Sequence, residues 1–274
     1  MSRPGASDIL VAARRALLDA ADALAEHRSA IVLVGAQAIY LHTGNARFAI
    51  AESTKDSDLA INPSRLRKDP LLEDAMRRAR FTHDASSAQP GSWLSPDGIP
   101  VDLMVPERLA GPGSRRSGRI APHSDRATRR ATGLEAAMVD NAPMRITALD
   151  PNDTRAIEMN VAGPAALLVA KLHKLGERQA APGRLLDKDA HDVYRLLVAT
   201  ESAPVATTLR QLSEHELCSQ VTQDALIYMA SLFAAGPDAP GSAMAGRAEQ
   251  LVGDPEIVSA SASALAAELL ALLA

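Results

Sequence analysis

The chain has 274 residues, of which 47% are hydrophobic, 23% are charged and only 3% are aromatic, and its formal net charge is −4. This composition predicts a globular protein with an aliphatic core and excludes a disordered chain. The single cysteine, Cys218, excludes an intramolecular disulfide and fits a reducing compartment, so we expect a cytoplasmic protein. No apolar run has the length that predicts a secretion signal or a membrane-spanning helix.

The first part of the chain predicts a helix followed by two strands. Apolar residues recur at helical spacing over residues 10–24, which predicts a helix that ends near His27. The apolar run Ala30–Val34 predicts a strand, and Gly35 opens a short helix. The next strand is expected near residues 56–61.

Acidic residues lie in and beside the predicted strands. Asp56 and Asp58 are two residues apart, so a strand projects both side chains from one face, and Asp102 lies inside the apolar run Val101–Val105. Charged groups at such positions are costly unless they are paired or bound to a metal. Magnesium takes oxygen ligands and leaves positions open for substrate phosphates. The three aspartates therefore predict a magnesium site for nucleotide chemistry, whereas an Asp-x-Asp pair alone usually marks a solvated strand end.

The middle of the chain predicts one more helix and two hairpins. A helix is expected to begin at Pro63, and the turn Pro96–Gly98 is expected to join a strand at residues 92–95 to one at residues 101–104. This hairpin would bring Asp102 into the sheet. Further strands are predicted at residues 134–139 and 144–148, as a second hairpin, and at residues 156–161.

Arginines concentrate between residues 106 and 132, in a stretch that is also rich in Gly, Pro and Ser. Two interpretations stay open: a solvated surface segment, or a docking surface for RNA phosphates. Aromatic residues are absent from this stretch, so base stacking is not expected there. We call these residues the arginine cluster: Arg115, Arg116, Arg119, Arg126, Arg129 and Arg130.

The pattern after Gly163 is helical to the end of the chain. We therefore expect an α/β (α+β) protein in which a mixed-sheet core, residues 1–162, precedes a helical C-terminal domain, residues 163–274.

Two pairs of charged residues share helix faces in this second part. Lys171 and Lys174 lie three residues apart, as do Asp189 and Asp192. Lysines on such a face usually meet only solvent, but Lys171 lies in the apolar run Ala165–Leu172 and is expected to face a group that needs its charge, such as a nucleoside triphosphate (NTP). Asp189 near a helix start also fits simple capping, which explains Asp192 less well.

The order and spacing of these motifs resemble the nucleotidyltransferase superfamily typified by DNA polymerase beta. In that superfamily a strand ends in Gly-Gly or Gly-Ser and opens a helix, Asp-x-Asp lies on the next strand, and a third acid lies on another. The positions that match are Gly35, Asp56, Asp58 and Asp102. Ala36 stands where the superfamily usually has Ser or Gly, so only backbone amides are left to bind phosphate there.

Within this superfamily the chain resembles the AbiEii-like toxins of type IV toxin–antitoxin systems, over about residues 30–200. The likeness continues through Leu168–Leu175, Arg178 and Asp187–Asp192. It implies that Lys171, beside Lys174, contacts the NTP, and that either Asp189 or Asp192 contributes to the active site. The sequence does not choose between these two acids.

The resemblance implies a nucleotidyltransferase core and an enzyme that moves an NMP from an NTP to an acceptor hydroxyl of RNA, tRNA in particular. Two Mg²⁺ ions would be held by Asp56, Asp58 and Asp102, and Asp102 would assist deprotonation of the acceptor. We expect the active site in a cleft that Lys171 also faces, and a cognate antitoxin protein as a partner. The alternatives are a non-catalytic nucleotide- or partner-binding protein, since Ala36 departs from the motif, and a transferase that acts on a small molecule or a protein.

Overall fold

The computed structural model describes residues 6–44, 56–87, 89–113, 116–179, 186–250 and 253–274. The chain divides into two compact units. Unit 1 comprises Met1–Gln37, Glu52–Ala131 and Asn141–Ala162, and unit 2 comprises Ala38–Ala51, Thr132–Asp140 and Gly163–Ala274. Two segments that precede residue 163 thus belong to unit 2, and the domain boundaries given by the sequence stay a prediction.

Unit 1 is built on a mixed sheet. Its strand order is β3–β4–β5–β2–β1–β8–β7, and β6 also pairs with β5. The central strands β1 and β2 are antiparallel to each other, whereas β1–β8, β2–β5 and β5–β6 are parallel pairs. The strands described are β1 Ile31–Val34, β2 Ser57–Ile61, β3 Thr82–His83, β4 Ser92–Leu94, β5 Pro100–Pro106, β6 Arg129–Ala131, β7 Asn141–Thr147 and β8 Ala156–Ala162.

The α-helices that the structure describes before residue 80 are α1 (Ala6–Ala23), α2 (Gly35–Thr43), which follows β1 directly, and α3 (Leu72–Arg78). The apolar side of α1 is buried, as its periodicity predicts. The hydroxyl of Ser57 in β2 donates to the Ala13 carbonyl of α1 at 3.1 Å. Because neighbouring strand residues point to opposite faces, Asp58 points away from α1.

The C-terminal part of unit 2 is helical, as the sequence predicts. Helix α4 starts at Pro164, and its Ala166 amide donates to the Asp140 carboxylate at 2.9 Å. Burial raises the pKa of Asp140, which favours its protonated form relative to an exposed carboxyl. The helices are α4 Pro164–Arg178, α5 Asp187–Ala199, α6 Ser202–Glu214, α7 Ser219–Met229, α8 Pro240–Ala248 and α9 Pro255–Ala271, with a π-helical turn at Ala230–Ala234.

The mixed-sheet α/β class is confirmed, and so is the hairpin around Pro96–Gly98, because β4 and β5 pair as antiparallel neighbours. Two other predictions are wrong. No hairpin joins residues 134–139 to 144–148: Ala136–Met138 forms a 3-10 turn, and β7 pairs with β8 instead. The sequence of residues 140–143 predicts a turn, but Pro143 lies within β7. Because β7 is an edge strand, a residue without a backbone N–H is tolerated there.

The helix expected from Pro63 is also shorter than predicted, since α3 begins only at Leu72. The Ser64 amide and hydroxyl both bond to the Asn62 side chain, which favours a turn. Pro70 interrupts any helix that would run on to residue 72.

Candidate active site

Gly35 lies at the point where β1 ends and α2 begins. Its φ of +69° favours glycine, and a Cβ atom at this position would collide with the Asp58 carboxylate. The two residues meet because Val34 and Asp58 are partners in the antiparallel β1–β2 pair. Glycine is therefore required by the backbone and by the close approach of an acid, in addition to any role with phosphate.

Asp58 and Asp102 lie side by side in the sheet. They are register partners in the parallel β2–β5 pair, so their side chains leave the same face of neighbouring strands, which are about 4.8 Å apart. Both residues are partly exposed, and Asp56, also partly exposed, lies just before β2. The structure thus brings Gly35, Asp58 and Asp102 together, with Asp56 two residues away along the chain.

The carboxylate of Asp102 bonds to a basic side chain. Nη2 of Arg129 donates to Oδ2 of Asp102 at 2.6 Å. Across the described ranges, no set of three His, Cys, Asp or Glu side chains is arranged to hold a metal ion. Asp56, Asp58 and Asp102 offer the oxygen ligands that Mg²⁺ prefers, and Arg129 already occupies one of the two carboxylate oxygens of Asp102.

The first turn of α2 supplies backbone groups beside these acids. The first amides of a helix have no acceptor within the helix, so they and the helix dipole can bind an anion. Ala36 is partly exposed, whereas Gln37 is buried and accepts a hydrogen bond from Nε of Arg14 at 3.0 Å. The site predicted at Gly35 and Ala36 therefore depends on backbone N–H groups and not on a side-chain hydroxyl.

The charged residues predicted on the later helices form a second cluster, within unit 2. Nζ of Lys171 donates to Oδ1 of Asp189 at 2.9 Å and to Oδ2 of Asp192 at 2.6 Å. Lys174 and Arg178 also bond to Asp189, at 2.9 and 3.2 Å. We call these five residues the ion network. Both acids between which the sequence left a choice therefore bond to Lys171.

Electrostatics keep the ion network charged. Burial alone would lower the pKa of Lys171, but the nearby carboxylates of Asp192 and Asp189 outweigh it and raise that pKa. Burial alone would raise the pKa of Asp189, but Lys171 and Lys174 outweigh it and hold that pKa below its usual value. Carboxylates of the protein thus meet the need for a counter-charge at Lys171, and its predicted contact with an NTP stays a prediction.

Sequence reasoning missed a buried arginine beside this network. Arg195 donates from Nη2 to the Thr43 hydroxyl at 3.2 Å, and its guanidinium carbon lies 4.6 Å from the ring centre of Tyr40. Burial lowers the pKa of Arg195. The Asp192 carboxylate acts electrostatically on Arg195, and the spacing of three residues between them is the sequence signal that places the two side chains near each other.

Much of the arginine cluster serves internal contacts. Arg129 bonds to Asp102, Nε of Arg130 donates to the Ser117 carbonyl at 2.8 Å, and Arg119 lies 3.4 Å from Asp125. Arg116 and Arg126 are exposed. Arg115 lies outside the described residues.

Comparison with known proteins gives the class of the chain. It belongs to a nucleotidyltransferase family, since a family profile described as "Nucleotidyltransferase" matches residues 13–213. The chain is also similar to a crystal structure named "putative nucleotidyltransferase from H. pylori", at 14% identity, over 94% of this chain and 93% of that one, with a TM-score of 0.30. None of the curated proteins matches the sequence.

The family supports generic nucleotidyl transfer and an NTP as substrate. The finer assignment to AbiEii-like toxins is not part of that finding. Among the helices that the structure describes, none combines the length and apolar character needed to cross a membrane.

Proposed function

We propose that this chain is a magnesium-dependent nucleotidyltransferase that moves an NMP from an NTP to a hydroxyl group of RNA, with tRNA as the first candidate. The observation that carries the proposal is the placement of Asp58 and Asp102 as register partners, directly beside the glycine that opens α2. Family membership supports the reaction class. The AbiEii-like resemblance supports the RNA acceptor, a toxin role and a cognate antitoxin.

Each residue of the site has a task in this proposal. Asp56, Asp58 and Asp102 would hold two Mg²⁺ ions, which would supply positive charge to neutralise the phosphates and the leaving pyrophosphate. The first amides of α2, at Gly35 and Ala36, bind phosphate oxygens. Asp102 orients the acceptor hydroxyl and takes up its proton. Because positioning and charge neutralisation carry this chemistry, no covalent enzyme nucleophile is needed.

The contact of Lys171 and Lys174 with the NTP is a separate proposal. It rests on the AbiEii-like resemblance, and it requires these lysines to share or leave carboxylates that they bind in the structure. The proposed transfer at the sheet aspartates does not depend on it.

A second candidate function has its own support. The bond between Arg129 and Asp102, together with Ala36 in place of Ser or Gly, favours a protein that binds a nucleotide without transferring it. Such a protein would bind an NTP and leave it intact.

The two functions differ in a transfer assay. Each labelled NTP is incubated with total cellular RNA, Mg²⁺ and either the wild type, Asp58→Asn or the control Asp74→Asn. Asp74 is an exposed acid of α3, in the same unit. We expect label in RNA with the wild type and control, and a loss of at least about 100-fold in Asp58→Asn, since removing even an outer-shell partner of a metal ligand costs 10- to 100-fold.

Equal rates in the wild type and Asp58→Asn would contradict the assignment of the site. NTP binding without any turnover would favour the binding protein, and label in protein or in a small molecule would reassign the acceptor.

A further inference from the structure

Arg129 is more than one member of the arginine cluster, because its guanidinium bonds directly to a candidate metal ligand. The side chains of Arg129 and Asp102 are 24% and 17% exposed, and one bond of 2.6 Å joins them. Nε of Arg129 is buried and has no hydrogen-bond partner among the described residues. A guanidinium offers five N–H donors, so Arg129 keeps capacity to bind a further anion.

The backbone fixes Arg129 at this position. Arg129 opens β6 and pairs with Met104 of β5. Gly91, at φ +73°, lies between these segments: its amide donates to the Arg126 carbonyl at 2.9 Å, and its carbonyl accepts from the Leu103 amide at 2.8 Å. A Cβ on Gly91 would collide with the Leu103 carbonyl and would lie 2.6 Å from the Arg129 amide nitrogen. The close approach that only glycine permits therefore keeps Arg129 beside β5.

The arrangement of charges gives Arg129 a task before substrate arrives. Asp58 and Asp102 are neighbours across the β2–β5 pair, and like charges placed opposite each other in a sheet repel. Arg129 offsets one of the two charges. A divalent cation that binds Asp102 would supply this compensation itself, and it would weaken the attraction that holds the partly buried guanidinium of Arg129 to the carboxylate.

We propose that Arg129 is a positioning residue that exchanges partners. It holds Asp102 in the substrate-free protein and, once Asp102 binds a divalent cation, turns its guanidinium to a phosphate group of the NTP. Arginine suits this exchange because its planar guanidinium can form two parallel hydrogen bonds with either a carboxylate or a phosphate. The inference rests on the proposed function, since it takes Asp102 as a metal ligand.

The exchange has two opposite consequences that a merely structural arginine would not have. Without nucleotide, Arg129 competes with the cation for Asp102, so its removal should tighten metal binding. With nucleotide, Arg129 contacts a phosphate group, so its removal should weaken nucleotide binding.

The test compares Arg129→Gln and Arg129→Lys with the control Arg126→Gln. The control removes the same charge from an exposed side chain of the same segment. Binding of Mn²⁺ to each protein without nucleotide is measured by electron paramagnetic resonance. We expect Arg129→Gln to bind Mn²⁺ about tenfold more tightly than the wild type, which corresponds to about 1.4 kcal/mol. Arg126→Gln should stay within about twofold.

The second measurement is the affinity for a non-hydrolysable NTP at saturating Mn²⁺, by calorimetry. Arg129→Gln should lose about tenfold, and Arg129→Lys, which keeps the charge but not the fork, should fall between it and the wild type. Circular dichroism shows whether Arg129→Gln folds. If it does not, Arg129→Lys is used instead, and we expect it to bind Mn²⁺ more tightly and the NTP more weakly than the wild type.

If Arg129→Gln binds Mn²⁺ with the same affinity as the wild type, the proposed exchange of partners is wrong. It is also wrong if neither of these two proteins binds Mn²⁺ detectably. This failure is distinct from that of the proposed function, which is decided by transfer in Asp58→Asn.

Discussion

The protein contains two groups of acids beside basic side chains, and they are built differently. In the ion network three cations meet two carboxylates, and the side chains of Asp189 and Asp192 are 0% and 4% exposed. On the sheet, Asp58 and Asp102 are partly exposed, and among the described residues Asp102 forms one ion pair, with Arg129. In the first group the carboxylates are buried and paired with cations of the protein, whereas the two acids of the second group are still partly exposed to solvent.

Residue type alone does not distinguish the acids of the ion network from those on the sheet, but their burial and their pairing do. Breaking a closed, buried network leaves an uncompensated charge in the interior. Changing a partly exposed acid leaves a group that water can still solvate. The two groups should therefore respond differently in stability and in activity.

Lys171→Met should give the largest loss of stability. It leaves the Asp189 and Asp192 carboxylates short of a cation in the interior, and breaking a buried pair in this way costs about 3–5 kcal/mol. The matched control is Lys174→Met, whose side chain is 38% exposed, so we expect a cost of about 1 kcal/mol or less. Urea unfolding measures both free energies.

A Lys171→Met variant as stable as the wild type, but with much weaker NTP affinity, would contradict the structural role. It would then support the contact with the triphosphate that the sequence predicts.

As the pH falls, we expect unit 1 to lose stability before the ion network of unit 2 does. Nδ1 of His123 accepts the Leu72 amide at 3.1 Å and Nε2 donates to the Arg67 carbonyl, so the ring is neutral. Its ring centre lies 5.8 Å from that of His27, whose Nε2 donates to the Pro70 carbonyl. Burial lowers the pKa of both rings below the usual 6.5.

Because these pKa values are lowered on folding, the two histidines contribute stability above pH 6.5 that is lost as the pH falls towards their folded values. We expect a loss of about 1–3 kcal/mol, the cost of leaving the buried Leu72 amide unpaired. The pKa of Asp189 is also lowered on folding, but its usual value is 3.8. Asp189 therefore contributes fully to the free energy of unfolding above pH 3.8, and this contribution is lost only at lower pH. Unfolding free energies at pH 7.5, 6.5 and 5.5 check this order.

The control for the pH experiment is His123→Gln, which should reduce the loss of stability between pH 7.5 and 5.5 to the part that His27 contributes. A wild-type profile that is already flat over this range would contradict the assignment of neutral, buried rings.

The smallest effect concerns the exposed arginines. If Arg116 and Arg126 contact RNA phosphates, the double alanine variant should bind RNA with a salt slope reduced by about 2, or about 1 for each contact. NTP affinity should stay the same. Arg130→Ala is the control. The Arg130 side chain donates to backbone carbonyls, so we expect its removal to lower the free energy of unfolding and to leave the salt slope unchanged. An unchanged slope in the double variant would make the two arginines ordinary solvated surface.

Local sequence patterns predicted much of this molecule. Gly35 after an apolar run, the alternation around Asp58 and the turn at Pro96–Gly98 each specify structure within a few residues. The helices after Gly163 follow from their periodicity. These are the elements that the structure confirms.

Long-range pairing could not be predicted in the same way. Strand β6 has only three residues in a Gly- and Pro-rich stretch, and its parallel partner β5 lies more than twenty residues earlier, so no local pattern links Arg129 to Asp102. The apolar run around Lys171 predicted a cation that faces a group needing its charge, with an NTP as the candidate, and that contact stays a prediction. It could not reveal that Asp189 and Asp192 bond to this cation.

The central claim is that the sheet aspartates carry nucleotidyl transfer, and Asp102→Asn tests it most directly. Its rate of NMP transfer is measured at saturating Mg²⁺, beside its free energy of unfolding. We expect a rate at least about 100-fold below that of the wild type, with a free energy of unfolding lowered by no more than about 3 kcal/mol, the upper value for one lost hydrogen bond to a charged group. A stable Asp102→Asn protein that transfers NMP at the wild-type rate would contradict the claim.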